Sequence, residues 1–223
     1  MGGQPLLLAG NSIGGGLSAG AAATLGPLCK GLVLCNTAGV LEEPATYQEP
    51  AVSVRDATLA GGSYAGKPYS PVPLLGQPAL DLFGEAVIRA IYPSIPQRLG
   101  DIYADRPANA DEALAFAIQQ GASSPGSANV IGSGQKLATN RPLNEVLFPK
   151  FGFGGPVLVP QGVNDRVSGP ARAQDRADVF ERLRSGVTVQ RIEGGHCVQD
   201  DAPDATARAI LAWLPEVRAY CSE

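Results

Sequence analysis

Histidine is nearly absent: one, His196, stands in 223 residues, beside one methionine and one tryptophan. Any chemistry that needs an imidazole must therefore use His196. Cysteine is scarce too. Cys29, Cys35, Cys197 and Cys221 form no CxxC pair and no dense framework. That pattern excludes a zinc knuckle and a disulfide scaffold, and buried or reduced thiols are expected. There is no basic excess, since the net charge is −4 and the isoelectric point about 5.1. Nucleic acid and anionic membrane surfaces are thereby disfavoured as main partners. No long apolar run occurs. The N-terminal one, Leu6 to Ala9, lacks a basic flank and is too short for a signal peptide or a membrane span. Gly2 has Leu6 where a myristoylation signal wants Ser or Thr. The chain thus reads as soluble, with no stable membrane anchor. Charged residues make up only 17%. Arg172, Arg176, Arg182 and Arg184 are interleaved with Asp175, Asp178 and Glu181, which reads as a solvated helix face.

What is present is a chain 44% hydrophobic and long enough for one core. Pro5 to Ala9 is an apolar run that meets glycines directly, as a buried strand does. Gly14 to Leu25 is rich in glycine and alanine, so a helix there lies very close to a sheet. Gly31 to Cys35 is a second buried-type strand, completing a βαβ unit with a parallel sheet. From residue 40 to 149 the character changes. Prolines and glycines crowd Pro44 to Pro78, and helical patterns follow at Leu80–Tyr92 and Ala110–Gln120. Asn109 with Glu112 resembles a capping box at the second of these. The strand–helix rhythm returns with a strand at Pro156–Pro160, a helix at Pro170–Leu183, a strand at Val187–Ile192 and a helix at Ala202–Val217. In the last helix Ile210, Trp213, Leu214 and Val217 share one face. The expected organisation is a core unit at 1–39, an inserted helical cap or lid at 40–149, and a second core unit at 150–223.

The chemistry concentrates in three places. Gly10-Asn11-Ser12-Ile13-Gly14 is G-x-S-x-G between a strand and a helix, the setting of a nucleophile elbow. The turn is so sharp that side chains flanking the serine are expected to clash, hence Gly10 and Gly14. The Ser12 hydroxyl is lifted clear of the strand end. The Ile13 N–H, at the helix N-terminus, is placed to donate to an oxyanion. A serine at neutral pH needs a base. His196 follows the last predicted strand directly and precedes a helix. The base in turn needs an acid. Asp165, 31 residues before His196, follows the strand Pro156–Pro160. The order Ser, Asp, His is that of the α/β-hydrolases. Glu42 and Glu43, after the second strand, and Asp175 and Asp178, inside the next helix, are the other carboxylates that could serve.

Two other motifs fall short. Gly10, Gly14 and Gly16 could form a dinucleotide turn of the short-chain dehydrogenase kind. No tyrosine, however, has the lysine four residues on that such chemistry requires. Gly61 to Lys67 resembles a phosphate-binding loop, but Pro68 stands where Ser or Thr would hold magnesium. No metal or organic cofactor is implied.

Three stretches together carry a family resemblance: Gly10 to Gly15, Lys30 to Asn36, and Gly194-Gly195-His196-Cys197-Val198-Gln199-Asp200-Asp201-Ala202-Pro203. They resemble plant and algal chloroplast α/β-hydrolases, with pheophytinase and its relatives the nearest of these. Tyr103-Ala104-Asp105 also looks like that family's cap. In the family, the histidine of Gly-His-Cys-Pro-His/Gln-Asp-Glu-x-Pro is the base, which carries over to His196. Val198 departs from the family's proline. The resemblance implies the fold of the C-terminal part of an α/β-hydrolase, a parallel sheet flanked by helices with an inserted cap. It also implies a chloroplast address. A full member has about four more strands before the elbow and a His-Gly loop supplying a second oxyanion N–H. The present sequence lacks both, so reduced activity and stability are expected of it.

The function expected is a serine hydrolase acting on a small-molecule carboxylic ester, in the resemblance a bulky apolar one such as a chlorophyll-derivative phytyl ester. The alternatives are a non-catalytic fragment or binding protein that keeps the triad, and a carbon–carbon bond hydrolase or cofactor-free haloperoxidase-type enzyme.

Overall fold

The computed structural model describes residues 5–48, 76–103, 109–133, 142–150 and 152–222. The Gly61–Pro68 loop, most of the Pro44–Pro78 stretch, and Ala104 and Asp105 lie outside them. Four strands, β1 (Leu6–Asn11), β2 (Cys29–Cys35), β3 (Val157–Gly162) and β4 (Val187–Ile192), form one sheet in the order β1-β2-β3-β4. Every adjacent pair is parallel. Strands of this kind must be crossed by helices, and the sequence supplies α1 (Ile13–Leu25) and α7 (Pro170–Leu183) between successive pairs.

Alternation along the central strands sorts the core into two layers. Leu32 and Leu34 of β2 and Val157 and Val159 of β3 face one side, against Ala19, Ala22 and Ala23 of α1 and Phe180 of α7. Val33, Cys35 and Leu158 face the other, against Trp213 and Val217 of α9 (Pro203–Ser222). The buried stripe of α9 is Thr206, Ala209, Trp213 and Val217, with Ile210 and Leu214 at its margin. Gly31 makes room for the indole, since a Cβ there would lie 2.7 Å from Trp213.

Between β2 and β3 the described residues form helices: α2 (Gln77–Ile91), α3 (Ile95–Ile102), α4 (Glu112–Ala122), α5 (Ser127–Ser133) and α6 (Leu143–Leu147). α2 and α5 approach backbone to backbone. A Cβ on Gly84 would meet the Ala128 carbonyl at 2.0 Å, and one on Gly132 the Leu80 carbonyl at 2.2 Å. Ile95, Leu99, Tyr103 and Ala115 form a separate small core under α3 and α4.

Two local expectations need correction. α4 is capped by Asp111, whose carboxylate accepts the Leu114 N–H at 2.8 Å, and not by Asn109. An aspartate one residue before the helix reaches the third N–H, and Asn109 lies too far upstream. The arginines of α7 and its C-terminus are not uniformly solvated. Arg176 donates to the Thr37 and Gly39 carbonyls. Arg184 donates to the Leu147, Phe153 and Gly155 carbonyls, and burial pushes its guanidinium down to about 10. Arg182 pairs with Glu43 at 3.0 Å as a surface bridge should. Cys29 and Cys35 are buried, and all four cysteines are free thiols. Among the described residues no helix is long and apolar enough to cross a membrane.

Candidate active site

In a parallel sheet, loops at the carboxyl ends of adjacent strands converge, and ligands bind there. Ser12 follows β1, Asn36 follows β2, Asp165 comes three residues after β3 and His196 four after β4. The elbow at Ser12 is a sharp reversal. Its φ of 53° and ψ of −123° lie in a region that side chains other than glycine rarely enter. Holding it there costs about 1–3 kcal/mol, so the surroundings must enforce it. They do so through the backbone. The Ser12 N–H donates to Cys35 at 3.1 Å, and its carbonyl accepts from Gly15 at 3.0 Å and Ala38 at 2.8 Å.

The glycines divide differently from expectation. A Cβ on Gly10 would fall 2.2 Å from the Gly14 carbonyl, so the strand cannot enter the helix with a side chain there. At Gly14 a Cβ would meet nothing within 4 Å. The close approach is at Gly15, where a Cβ would lie 2.3 Å from the Thr37 hydroxyl. The side of the helix that touches the β2 loop is set by Gly15, one residue further on. Ile13 is the first residue of α1, its side chain 71% exposed, and N–H groups of a first turn have no partner within their own helix.

Asp165 is buried, and its carboxylate collects four donors. Oδ1 accepts from His196 Nδ1 at 3.1 Å and from the Val167 and Ser168 N–H groups at 2.9 and 3.3 Å. Oδ2 accepts the Ser168 hydroxyl at 2.7 Å. Burial alone would raise this carboxyl. The hydrogen bonds from His196 and Ser168 outweigh it and hold the group below its ordinary value. An ionised carboxylate can only accept, so Nδ1 of His196 is the donor in this pair. The other candidate carboxylates are elsewhere. Glu43 pairs with Arg182, Asp178 with Arg191, Asp175 is exposed on α7, and the Glu42 backbone is held by Asn144.

Ser12, Asp165 and His196 line one cavity of about 200 Å³. Its other walls include Asn36, Gln161, Val167, Arg172 and Arg176. Two amides that had no assigned role from sequence brace the histidine. Asn11 donates to the His196 carbonyl at 3.0 Å. Asn36, at a φ of 38°, donates to the same carbonyl at 2.8 Å and to Gly195 at 2.7 Å. The Asn36 oxygen accepts from Gln161 and from the Gly162 N–H. Both asparagines sit inside the motif stretches, but an amide that bridges three strand ends has no signature in the local sequence.

Neither a family model nor a curated protein matches the sequence. Solved structures do match. A bacterial membrane phospholipase A is 23% identical over 97% of this chain and 59% of its own, with a TM-score of 0.57. An esterase from Thermogutta terrifontis is 19% identical over 96% of this chain and 66% of its own, with a TM-score of 0.57. An α/β-hydrolase from a deep-sea metagenome of the Medee basin is 14% identical over 96% and 66%, again at 0.57. The chain therefore has the architecture of the α/β-hydrolase fold and spans 59–66% of the length of these structures.

Proposed function

We propose that the protein is a serine hydrolase that cleaves a carboxylic ester. The observation that carries this reading is the strained Ser12 sharing a cavity with a histidine whose Nδ1 is held by a buried, ionised aspartate. Ser12 Oγ attacks the acyl carbon while His196 Nε2 takes its proton. The Ile13 N–H donates to the oxyanion. His196 returns the proton to the leaving alcohol, and a water then repeats the sequence to release the acid. Asp165 stays ionised throughout and stabilises the imidazolium. The 23%-identical phospholipase and the 19%-identical esterase support ester chemistry by analogy of fold.

Within that reading, residues 40–149 act as a cap over the site, between core units at 1–39 and 150–223. The substrate expected from the sequence resemblance is a bulky apolar ester of the phytyl kind, handled in a chloroplast. The described cavity, at about 200 Å³ and lined by Arg172 and Arg176, suits the carbonyl and its immediate neighbours. Drug-sized ligands need about 300–1,000 Å³, so a bulky alcohol extends beyond it.

A fluorophosphonate probe tests the reading. It should label Ser12, and the label should be lost in Ser12→Ala and strongly slowed in His196→Ala. Labelling that survives Ser12→Ala would assign the nucleophile elsewhere.

A further inference from the structure

The loop that carries His196 is gripped from two sides. On the sheet side the Asn11 and Asn36 amides hold its carbonyl. On the other side its N–H donates to the carbonyl of Ile102, the last residue of α3, at 2.9 Å. The next residue, Tyr103, is buried, and its hydroxyl donates to Asp200 Oδ2 at 2.7 Å. Asp200 belongs to α8 (Val198–Asp201), the single turn that follows the histidine. That turn is tied back to the loop. The Asp200 and Asp201 N–H groups donate to the Cys197 carbonyl, and the Asp201 carboxylate accepts the Gly195 N–H at 2.6 Å. Asn109, just before α4, donates to the Asp200 carbonyl at 2.8 Å. Cys197 packs on the small core of Ile95, Leu99, Tyr103 and Ala115. The segment of α3 and α4 therefore touches the histidine loop by one backbone bond, two side-chain bonds and an apolar contact.

We propose that Tyr103 is a positioning residue for His196. Its hydroxyl latches α8 to α3, so the orientation of the imidazole against Asp165 depends on the helical segment being seated. Any movement of α3 away from the sheet would loosen the base at the same time. The assignment of a catalytic consequence rests on the reading of His196 as the base. The latch itself does not.

The sole histidine allows a test independent of turnover. The full chain, labelled with 15N in histidine, should show one imidazole in the Nδ1–H form. Tyr103→Phe keeps the buried ring and removes only the hydroxyl. Its imidazole resonances should shift and broaden by exchange. Asp200→Ala, at an exposed carboxylate, should do the same, and the double variant should be no worse than either single one. Asp200→Asn, which keeps an oxygen for the hydroxyl, should restore the wild-type spectrum. With a p-nitrophenyl ester, kcat should fall about 10- to 100-fold in Tyr103→Phe with KM nearly unchanged. Imidazole spectra that superimpose on wild type in both Tyr103→Phe and Asp200→Ala overturn the proposal. Should Tyr103→Phe not fold, the Asp200→Ala and Asp200→Asn pair decides alone. If the wild type hydrolyses no ester, the hydrolase reading fails while the spectra still judge the latch.

Discussion

Ser12 shows what a single residue carries. Its backbone occupies a conformation suited to glycine, so the proposed nucleophile role and stability oppose one another there. Ser12→Gly is expected to abolish probe labelling and to raise the unfolding free energy by about 1 kcal/mol, the strain relieved less the extra freedom of glycine when unfolded. A denaturant midpoint that falls in this variant would show that the hydroxyl or Cβ is itself needed for folding. Asp165 makes a second residue-scale prediction. Its carboxyl is held below the ordinary value, so the folded chain binds the proton less readily than the unfolded one. Its contribution to stability is present above the unfolded value of about 3.9 and is lost as pH falls through the lower folded value. Urea midpoints measured from pH 6 downward should drop more steeply for the wild type than for Asp165→Asn. Equal slopes would mean that other carboxylates dominate acid unfolding. The placing of Ser12, Asp165 and His196 at the ends of three strands was readable because each strand is recognisable by its own run of apolar residues. Asn11 and Asn36 were not readable as braces, because their partners lie 185 and 160 residues away.

At the scale of the element, the helix α1 is held against its surroundings by absent side chains. Gly10→Ala and Gly15→Ala would each drive a methyl into backbone or into Thr37 at less than 2.5 Å. Each is expected to lower stability by about 1–3 kcal/mol, the usual range for overpacking. Gly14→Ala meets open space inside a helix and should be neutral or stabilising by up to about 1 kcal/mol. Thermal melts of the three variants check the order. A Gly14→Ala loss as large as that of Gly10→Ala would contradict it. The glycine richness was visible in sequence, and so was the close packing it implies. Which glycine faces the β2 loop was not, because the direction in which α1 leaves the strand depends on where Thr37 sits. The helices α3, α5 and α6 had no sequence expectation either. α6 is five residues long and every one of them is buried, so no alternation of exposed and buried positions marks it.

For the whole molecule, the order of strands decides where surface is left over. Among the described residues β1 has a single strand neighbour, β2, and lies at the edge of the sheet. Its Leu6 and Leu7 are 42% and 50% exposed, and Leu17 of α1 is 67% exposed. An edge of this kind offers unpaired backbone groups and apolar side chains together, which promotes association. The 223-residue chain on its own is expected to self-associate through β1. Leu6→Lys should reduce its light scattering at constant melting temperature, as a charge on an exposed edge position does. Scattering unchanged by Leu6→Lys would place the contact elsewhere. β4, at the other edge, is only partly buried as well, but its Arg191 is engaged with Asp178 and Glu181, and charge there discourages pairing.

Local pattern alone determined the parallel sheet, the four strands, the two long core helices α7 and α9, and the elbow with its serine, because each rests on a run of residues whose periodicity or turn chemistry is complete within about 20 positions. It also determined that any imidazole base is His196. Only the tertiary structure decided which of five carboxylates meets the ring, which glycine is sterically required, and which arginines leave the solvent. Those are questions of distance between strand ends far apart in sequence. They are answered by how strands register and helices seat, as where Tyr103 reaches Asp200 across 97 residues.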